Sequence, residues 1–233
     1  MSVFEYQVTR SSRRKTLSVV IRHAEVKVLV PSFVSDAQIN DFVNERAQWI
    51  ADKLAIQREY VAQKQQYVKR FVEGEAFLLF GEPVQLHVVS AARSWVDVHG
   101  THLVVAVSDK VIGQKRIDTI KRLLSNWYKK QLNQYVTAKM RGYAQLMGVS
   151  YQALKVRSYK RRWGSCSSQG VVSFNLLLAM APKTVIDYVI VHELCHRVHM
   201  NHSADFWALV ARYYPDYALA KTWLKDHSEL LQL

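Results

Sequence analysis

The sequence has few of the residues that build disulfide scaffolds, flexible linkers or membrane spans. Its 233 residues include only 2 cysteines, 4 prolines and 8 glycines. So few thiols exclude a disulfide framework and fit a reducing compartment, and the scarcity of proline and glycine excludes a long low-complexity linker. The sequence also lacks an apolar run of membrane-spanning length and a secretory signal pattern at its start. We therefore expect a cytoplasmic protein that makes no membrane contact.

Acidic residues are also scarce relative to basic ones. The chain has 19 Asp and Glu against 32 Lys and Arg, which gives a formal net charge of +13. Such a charge attracts polyanions such as nucleic acid or nucleotides, but it selects among them only loosely. Basic side chains that serve solubility alone explain the charge equally well. The hydrophobic content of 49% is enough for a sizeable core in one large domain or two small ones.

The first half of the sequence alternates between β and helical patterns. Residues 4–30 are rich in alternating β-branched side chains, which predicts a small antiparallel sheet. Ser35 and Gln38 form a capping-box pattern that begins a long helix, which we expect to end near Gln65. Residues 77–105 return to β patterns, with a hairpin predicted over 96–105. This half is therefore expected to be rich in β-structure around one long helix.

The second half changes to a helical period after Asp109. A helix is expected to end near Gly142 or Gly148, and short strands are expected around 154–157 and 171–174 before three helices that begin near Lys183. We place a domain boundary near residue 110, which separates a β-rich N-terminal region, residues 1–110, from a C-terminal domain, residues 111–233. The fold class that these patterns predict is α+β.

One short segment carries most of the chemical information. In His192-Glu193-Leu194-Cys195-His196 the two histidines are four positions apart, so on a helix their rings lie on one face and can bind a single cation. The glutamate beside them can accept a proton from a water molecule that the cation activates. The segment therefore predicts a metal-dependent hydrolase, with zinc as the first candidate and nickel or cobalt as alternatives that three imidazoles would also bind.

A catalytic zinc site needs a third protein ligand, and the sequence offers three candidates. His202 follows His196 by six positions, the interval of an extended zinc-protease motif in which a turn returns a third histidine to the metal. Asn201 could supply that turn. His199 is also expected on the ligand face, but the rise along a straight helix places it too far away, so a role in binding substrate or stabilising charge is preferred. Glu229 on the last helix remains an alternative ligand.

An ordinary amphipathic helix is the competing interpretation of this segment. In that case Glu193 and Arg197 would form an ion pair within the helix. Cys195 is expected to be a small buried residue and not a nucleophile. Phe206 and Trp207 are interpreted as plain core residues of the following helix, which Ser203 caps.

Several segments of the last third of the chain share one resemblance. They are Arg162-Trp163-Gly164-Ser165-Cys166, Ala181-Pro182, Ile186-Asp187-Tyr188-Val189, His192-Glu193-Leu194-Cys195-His196, Met200-Asn201-His202-Ser203, Phe206-Trp207 and Tyr214-Pro215-Asp216-Tyr217. Together they resemble the YgjP-like metallopeptidase-domain family, which is related to the SprT-like proteases. The resemblance implies zinc ligands at His192, His196 and His202, a catalytic base at Glu193, and a C-terminal zincin-like metallohydrolase domain.

The substrate is open at this stage. The first hypothesis is peptide hydrolysis, with the strand at 171–174 as the edge that binds an extended peptide. The second is hydrolysis of a nucleoside triphosphate such as UTP, because Arg162 ends a basic run suited to polyphosphate, namely Arg157, Lys160, Arg161 and Arg162. The same run could simply be a solvated loop. The third is a protease module delivered to nucleic acid by the basic residues of the first β region, namely the cluster from Arg10 to Arg14 together with Lys15 and Arg22.

Overall fold

The computed structural model describes residues 4–22, 24–65 and 67–233, without the side chains of 60–65. The described part of the chain contains ten β-strands and six α-helices, which confirms the α+β class. The chain divides into two compact units, Met1–Val68 and Lys69–Leu233.

The first unit has a three-stranded sheet with strand β3 at its centre. Its strands are β1 (Tyr6–Ser11), β2 (Ser18–Arg22) and β3 (Glu25–Pro31). β2 pairs with β3 antiparallel, but β1 pairs with β3 parallel, so the prediction of a purely antiparallel sheet is wrong. β3 is central because it pairs on both sides, and its residues Val26, Val28 and Val30 are buried on one face. The apolar pattern identified the strands but could not specify their partners.

Two helices complete the first unit where one was predicted. They are α1 (Asp36–Glu45) and α2 (Ala47–Gln65). The predicted capping box is confirmed, since the Ser35 side chain accepts a hydrogen bond from the Gln38 backbone and the Gln38 side chain returns to the Ser35 backbone. The break lies at Arg46, whose backbone leaves helical geometry at φ −107° and ψ 8°. Val43 before the break and Ile50 after it are both buried, so the hydrophobic period continues across the break.

The second unit begins with a four-stranded sheet made from two hairpins. Its strands are β4 (Ala76–Leu79), β5 (Glu82–Ser90), β6 (Trp95–His99) and β7 (His102–Val107), in the order β4-β5-β7-β6. The predicted hairpin over 96–105 is confirmed as β6 and β7. The two hairpins join through a parallel pair, β5 with β7, so Leu86 and Leu103 come to lie side by side in the core.

The remainder of the second unit is a long helix, a small sheet and three shorter helices. These elements are α3 (Gly113–Met147), β8 (Ala153–Arg157), β9 (Gly164–Cys166), β10 (Val171–Asn175), α4 (Lys183–Cys195), α5 (Ala204–Tyr213) and α6 (Tyr217–His227), with 3-10 helices at Leu176–Met180 and Ser228–Leu230. α3 ends at Gly148, whose φ of 66° is the left-handed conformation that glycine adopts without strain. The small sheet has the order β8-β10-β9.

The division of the chain differs from the boundary predicted near residue 110. The β4–β5 turn is bound to the region just before α4: the backbone amide of Phe80 donates to Ala179 O at 2.7 Å and that of Gly81 donates to Met180 O at 3.1 Å. The hydroxyl of Tyr128 on α3 donates to Leu78 O at 2.8 Å. The second β region is therefore part of the unit that carries the histidine motif. The change of period after Asp109 marks a change of element within one unit.

None of the helices in the described residues combines the length and the apolarity required to cross a membrane.

Candidate metal centre

The histidine motif lies on helix α4, which is buried along most of its length. Asp187 connects it to α3, because its carboxylate accepts hydrogen bonds from Tyr135 at 2.8 Å and Tyr143 at 3.4 Å and lies 3.6 Å from the Lys139 ammonium. These contacts join α4 to α3 through a residue that is not part of the histidine motif. They fix the position of the helix before any ligand is bound.

Three histidines come together at the end of this helix. The nearest ligand atoms of His192, His196 and His202 all lie within 4.8 Å of one another. The ring centroids are 5.0 Å apart for His192 and His196, 5.0 Å for His192 and His202, and 4.8 Å for His196 and His202. Nε2 of His192 faces Nε2 of His202 at 3.1 Å. The structure thus brings the sequence-predicted triad into one group.

The turn after α4 returns the chain to the triad, but His199 and Asn201 do not take the conformations that were predicted for them. The helix ends at Cys195, so His199 is not on the helix as predicted. The backbone carbonyl of His199 lies 3.0 Å from Nδ1 of His196, which leaves Nε2 of His196 to face the group. Asn201 is not among the residues with positive φ, so it does not make a left-handed turn.

Aromatic side chains from α5 form one wall of the triad. The ring of Phe206 is fully buried and lies 4.6 to 4.9 Å from all three imidazoles. Trp207 stacks on His202 at 5.7 Å and on Tyr217 at 5.5 Å. The interpretation of Phe206 and Trp207 as plain core residues is therefore incomplete, because both also hold imidazole rings in place. Helical spacing alone could not distinguish these two uses.

Glu193 is buried beside the triad and faces the short strand β9. Only 4% of it is exposed, and its Oε2 has no hydrogen-bond partner among the described residues. A Cβ atom added to Gly164 would lie 2.8 Å from both Cγ and Cδ of Glu193, and closer still to Oε1. Glycine at this position is therefore what lets β9 pass over the carboxylate. A glycine inside a strand is the sequence signal for such a close approach, and the sequence interpretation did not use it.

The competing interpretation, an ion pair between Glu193 and Arg197, does not describe this helix. Arg197 donates instead to the backbone carbonyls of Ser150 at 3.0 Å and Ser168 at 3.0 Å. It thereby connects the end of α4 to the turn between β9 and β10. Glu193 is left to face β9.

The other sequence candidates lie at the margin of the group or outside it. Arg162 is exposed, with its guanidinium 5.6 Å from the centre of the Tyr159 ring. Burial raises the pKa of Glu193, and the charge of Arg162 offsets part of that rise. Glu229 lies in the last 3-10 helix, where it accepts a hydrogen bond from Gln232, and it is not a member of the histidine group. Cys195 is fully buried, as predicted, and is not joined to Cys166.

The donor set fits a divalent transition metal. Three imidazoles whose ligand atoms lie within 4.8 Å of one another are a ligand set that zinc and related ions would bind. Burial lowers the pKa of His192 to about 3, so this ring is neutral and its nitrogen lone pair is available. The carbonyl of His199 holds His196 in the tautomer that a ligand needs. His192, His196 and His202 are therefore the residues that could hold the metal.

The electrostatics of Glu193 predict how the metal-free protein responds to pH. Burial raises the pKa of Glu193 from 4.5 to about 8, against the opposing charge of Arg162. Between these values Glu193 keeps its proton in the folded chain but not in the unfolded chain, so its contribution to the free energy of unfolding falls as the pH rises from about 4.5 to about 8. The lowered pKa of His192 acts in the opposite direction below 6.5, so the fall due to Glu193 is expected in the difference between the wild type and Glu193→Gln. Melting temperatures of the chelator-treated proteins across this range measure it, and identical slopes for both proteins would contradict it.

A protein-family model matches the part of the chain that forms this site. The model of the family described as "YgjP-like, metallopeptidase domain" matches residues 15–227, a span that includes the triad, Glu193 and β9. The chain belongs to the YgjP-like family. Membership in this family makes the chain a metallohydrolase and confirms the resemblance found in the sequence. It also implies a metal, which the triad is able to bind.

Two further comparisons add little to the family match. No curated protein matches the chain in a sequence search. Among solved structures, the crystal structure of the metallopeptidase zymogen abylysin of Pyrococcus abyssi is similar at a TM-score of 0.37 and 17% identity, over 42% of this chain and 96% of that one. The assignment of this chain to the YgjP-like family rests on the family match alone.

Proposed function

We propose that the chain is a zinc-dependent metallopeptidase, with His192, His196 and His202 as metal ligands and Glu193 as the general base. The observation that carries the proposal is the placement of a buried carboxylate next to three converging imidazoles. A bound zinc ion would supply Lewis-acid polarisation of a scissile carbonyl and a lower pKa for an attacking water molecule. The described residues supply the rest of the chemistry.

The role of Glu193 follows from its surroundings. Burial raises the pKa of its carboxyl to about 8 in the metal-free protein, and the positive charge of a bound metal ion would favour the ionised form. The carboxylate would accept a proton from the attacking water and pass it to the amine that leaves. Gly164 lies close to the carboxylate, so β9 limits its movement on that side. A carboxylate limited in this way would stay near the attacking water for both proton transfers.

The strand that would receive a peptide is β9 and not the one predicted. The strand at 171–174 was expected to be the edge, but it is part of β10, which lies between β8 and β9 with both sides paired. Within the described residues β9 pairs with β10 alone, and it passes over Glu193. An extended peptide that adds to the free edge of β9 would lie along the site. This placement supports an extended peptide as the substrate.

Arg162 and His199 are proposed to contact the substrate. Arg162 is two positions before β9, and its charge already acts on Glu193, so it can bind a carboxylate or stabilise developing negative charge near the base. The backbone carbonyl of His199 is bonded to His196, whereas the imidazole ring of His199 is partly exposed and could contact a substrate. Both roles are part of the proposal.

Metal removal tests the proposal directly. We expect a chelator to abolish cleavage of an unstructured protein substrate and zinc to restore it. His196→Ala and His202→Ala should lose both zinc, measured by equilibrium dialysis, and cleavage, because each removes one of three ligands. His227→Ala is the matched control, since that ring stacks on Trp223 at 4.7 Å and is not in the triad. Cleavage that survives zinc loss would contradict the proposal.

The same preparations separate the other two hypotheses. Release of pyrophosphate from UTP that is lost in Glu193→Gln and Arg162→Ala would make the chain a nucleotide hydrolase and replace the peptidase proposal. Binding of nucleic acid that persists without zinc and weakens steeply with salt would support the delivery hypothesis. The peptidase is preferred because the family is described by a metallopeptidase domain and because β9 offers a free edge.

A further inference from the structure

A second group of metal-binding side chains lies on the four-stranded sheet β4-β5-β7-β6. His87 is on β5 and His102 begins β7, the strand paired with it. Nε2 of His87 and Nδ1 of His102 face each other at 2.7 Å, with ring centroids 4.5 Å apart. Glu73 lies on the far side of the His87 ring, where its Oε1 is 2.7 Å from Nδ1. The three side chains form a line along the sheet.

Hydrogen bonding fixes the protonation of this line. Oε2 of Glu73 accepts the backbone amide of Val88 at 2.8 Å, which holds the carboxylate in place. Because a carboxylate only accepts, Nδ1 of His87 must carry the proton of the bond to Oε1. Nε2 of a neutral His87 is then a lone pair directed at His102. One proton, on Nδ1 of His102, is all that lies between two ligand nitrogens.

A carboxylate that orients a histidine whose other nitrogen faces outward is a common arrangement around protein-bound metals. The nitrogen separation of 2.7 Å in this pair is close to the 3.1 Å between His192 and His202 in the triad. In both places a cation that replaces one proton would satisfy two lone pairs at once. His87 and Glu73 are partly exposed, with 32% and 62% of their side chains accessible, so an ion can reach them.

We propose that His87 and His102 bind a second divalent transition-metal ion, with Glu73 as the residue that orients His87. Imidazole ligands of this kind select the ions zinc, nickel and copper over magnesium and calcium. Two protein ligands leave the remaining positions of the ion open to solvent or to a donor from another molecule. The site is independent of the triad and of the proposed peptidase activity, since none of its residues belongs to that group.

The test counts nickel ions bound by the full chain in equilibrium dialysis. We expect the wild type to bind one ion more than His102→Ala, and the same difference of one ion to persist when both proteins also carry His192→Ala and His196→Ala. Glu73→Gln should weaken this additional binding by roughly 10- to 100-fold, the usual effect of losing a residue that orients a ligand. The additional triad variants keep a failure of this site distinct from a failure of the peptidase proposal.

His227→Ala is the matched control for loss of an unrelated histidine. We expect it to bind as many ions as the wild type, because its Nδ1 is bonded to the Trp223 carbonyl at 3.0 Å. Equal binding by wild type and His102→Ala would overturn the proposal and leave the pair as a simple hydrogen bond. A loss in His227→Ala as large as that in His102→Ala would also overturn it, since scattered surface histidines would then hold the ion. Melting curves of the variants show whether each remains folded.

Discussion

Glu193→Gln is expected to reduce peptide cleavage by about 10²- to 10⁴-fold while zinc binding stays unchanged. Glutamine has the same shape as glutamate but cannot accept the proton of the attacking water, and the removal of a general base has an effect of this size. Glu193 is buried and is not part of the histidine group, so the metal ligands keep their places. Steady-state cleavage and zinc stoichiometry on the same preparation measure the two quantities separately.

Glu82→Gln is the matched control for this change. Glu82 is exposed at the start of β5, so the same chemical substitution there should leave cleavage and zinc binding as in the wild type. A Glu193→Gln enzyme with full cleavage would show that another group is the base. A variant that loses zinc together with cleavage would show that Glu193 supports the metal site and not the proton transfer.

Gly164→Ala is expected to reduce cleavage although it changes neither a metal ligand nor the base. The new methyl group would meet Cγ and Cδ of Glu193 at 2.8 Å, a separation that non-bonded carbon atoms do not tolerate. Either β9 must move away or the Glu193 side chain must turn, and in both cases the base leaves its position. We expect a loss of cleavage of about 10²-fold or more with zinc retained, and a fall of about 1–3 kcal/mol in the free energy of unfolding.

Gly142→Ala provides the control for a glycine-to-alanine change. Gly142 lies within α3, and a Cβ there meets nothing within 4 Å, so alanine should raise the free energy of unfolding by about 0.5–1 kcal/mol. The fall in the free energy of unfolding caused by Gly164→Ala should also be smaller when Glu193 is replaced by alanine, because that change removes the clashing atoms. A fall of the same size in the Glu193→Ala background would show that the strain arises elsewhere on β9.

Much of this architecture could be predicted because its signals are local. Ser35 with Gln38, the glycine at 148 and the apolar period of α3 each specify a helix boundary or face through neighbours in the chain. The triad was equally accessible, because a separation of four positions on a helix fixes the direction of His192 and His196. The third histidine required only a short return of the chain after α4.

The break at Arg46 and the end of α4 before His199 are local errors, and the others concern contacts between distant parts of the chain. The parallel pairing of β1 with β3, and the position of β10 inside its sheet, depend on which strand reaches which neighbour. Alternating hydrophobicity is the same for an edge strand and for a central strand that has one covered face, so it could not decide either case. The division between Val68 and Lys69 could not be predicted for the same reason, since the bonds from Phe80 and Gly81 to the segment before α4 cross about a hundred positions.

The sequence by itself determined the chemistry of this protein: three imidazoles and a carboxylate at spacings that a helix and a short turn convert into one metal-binding group. The tertiary structure alone decided what surrounds that group. It places Gly164 against Glu193, gives β9 the free edge, and removes enough water from the carboxylate to raise its pKa to about 8. Ligand spacing is a property of neighbouring residues, whereas burial and close approach arise only when separate segments pack together.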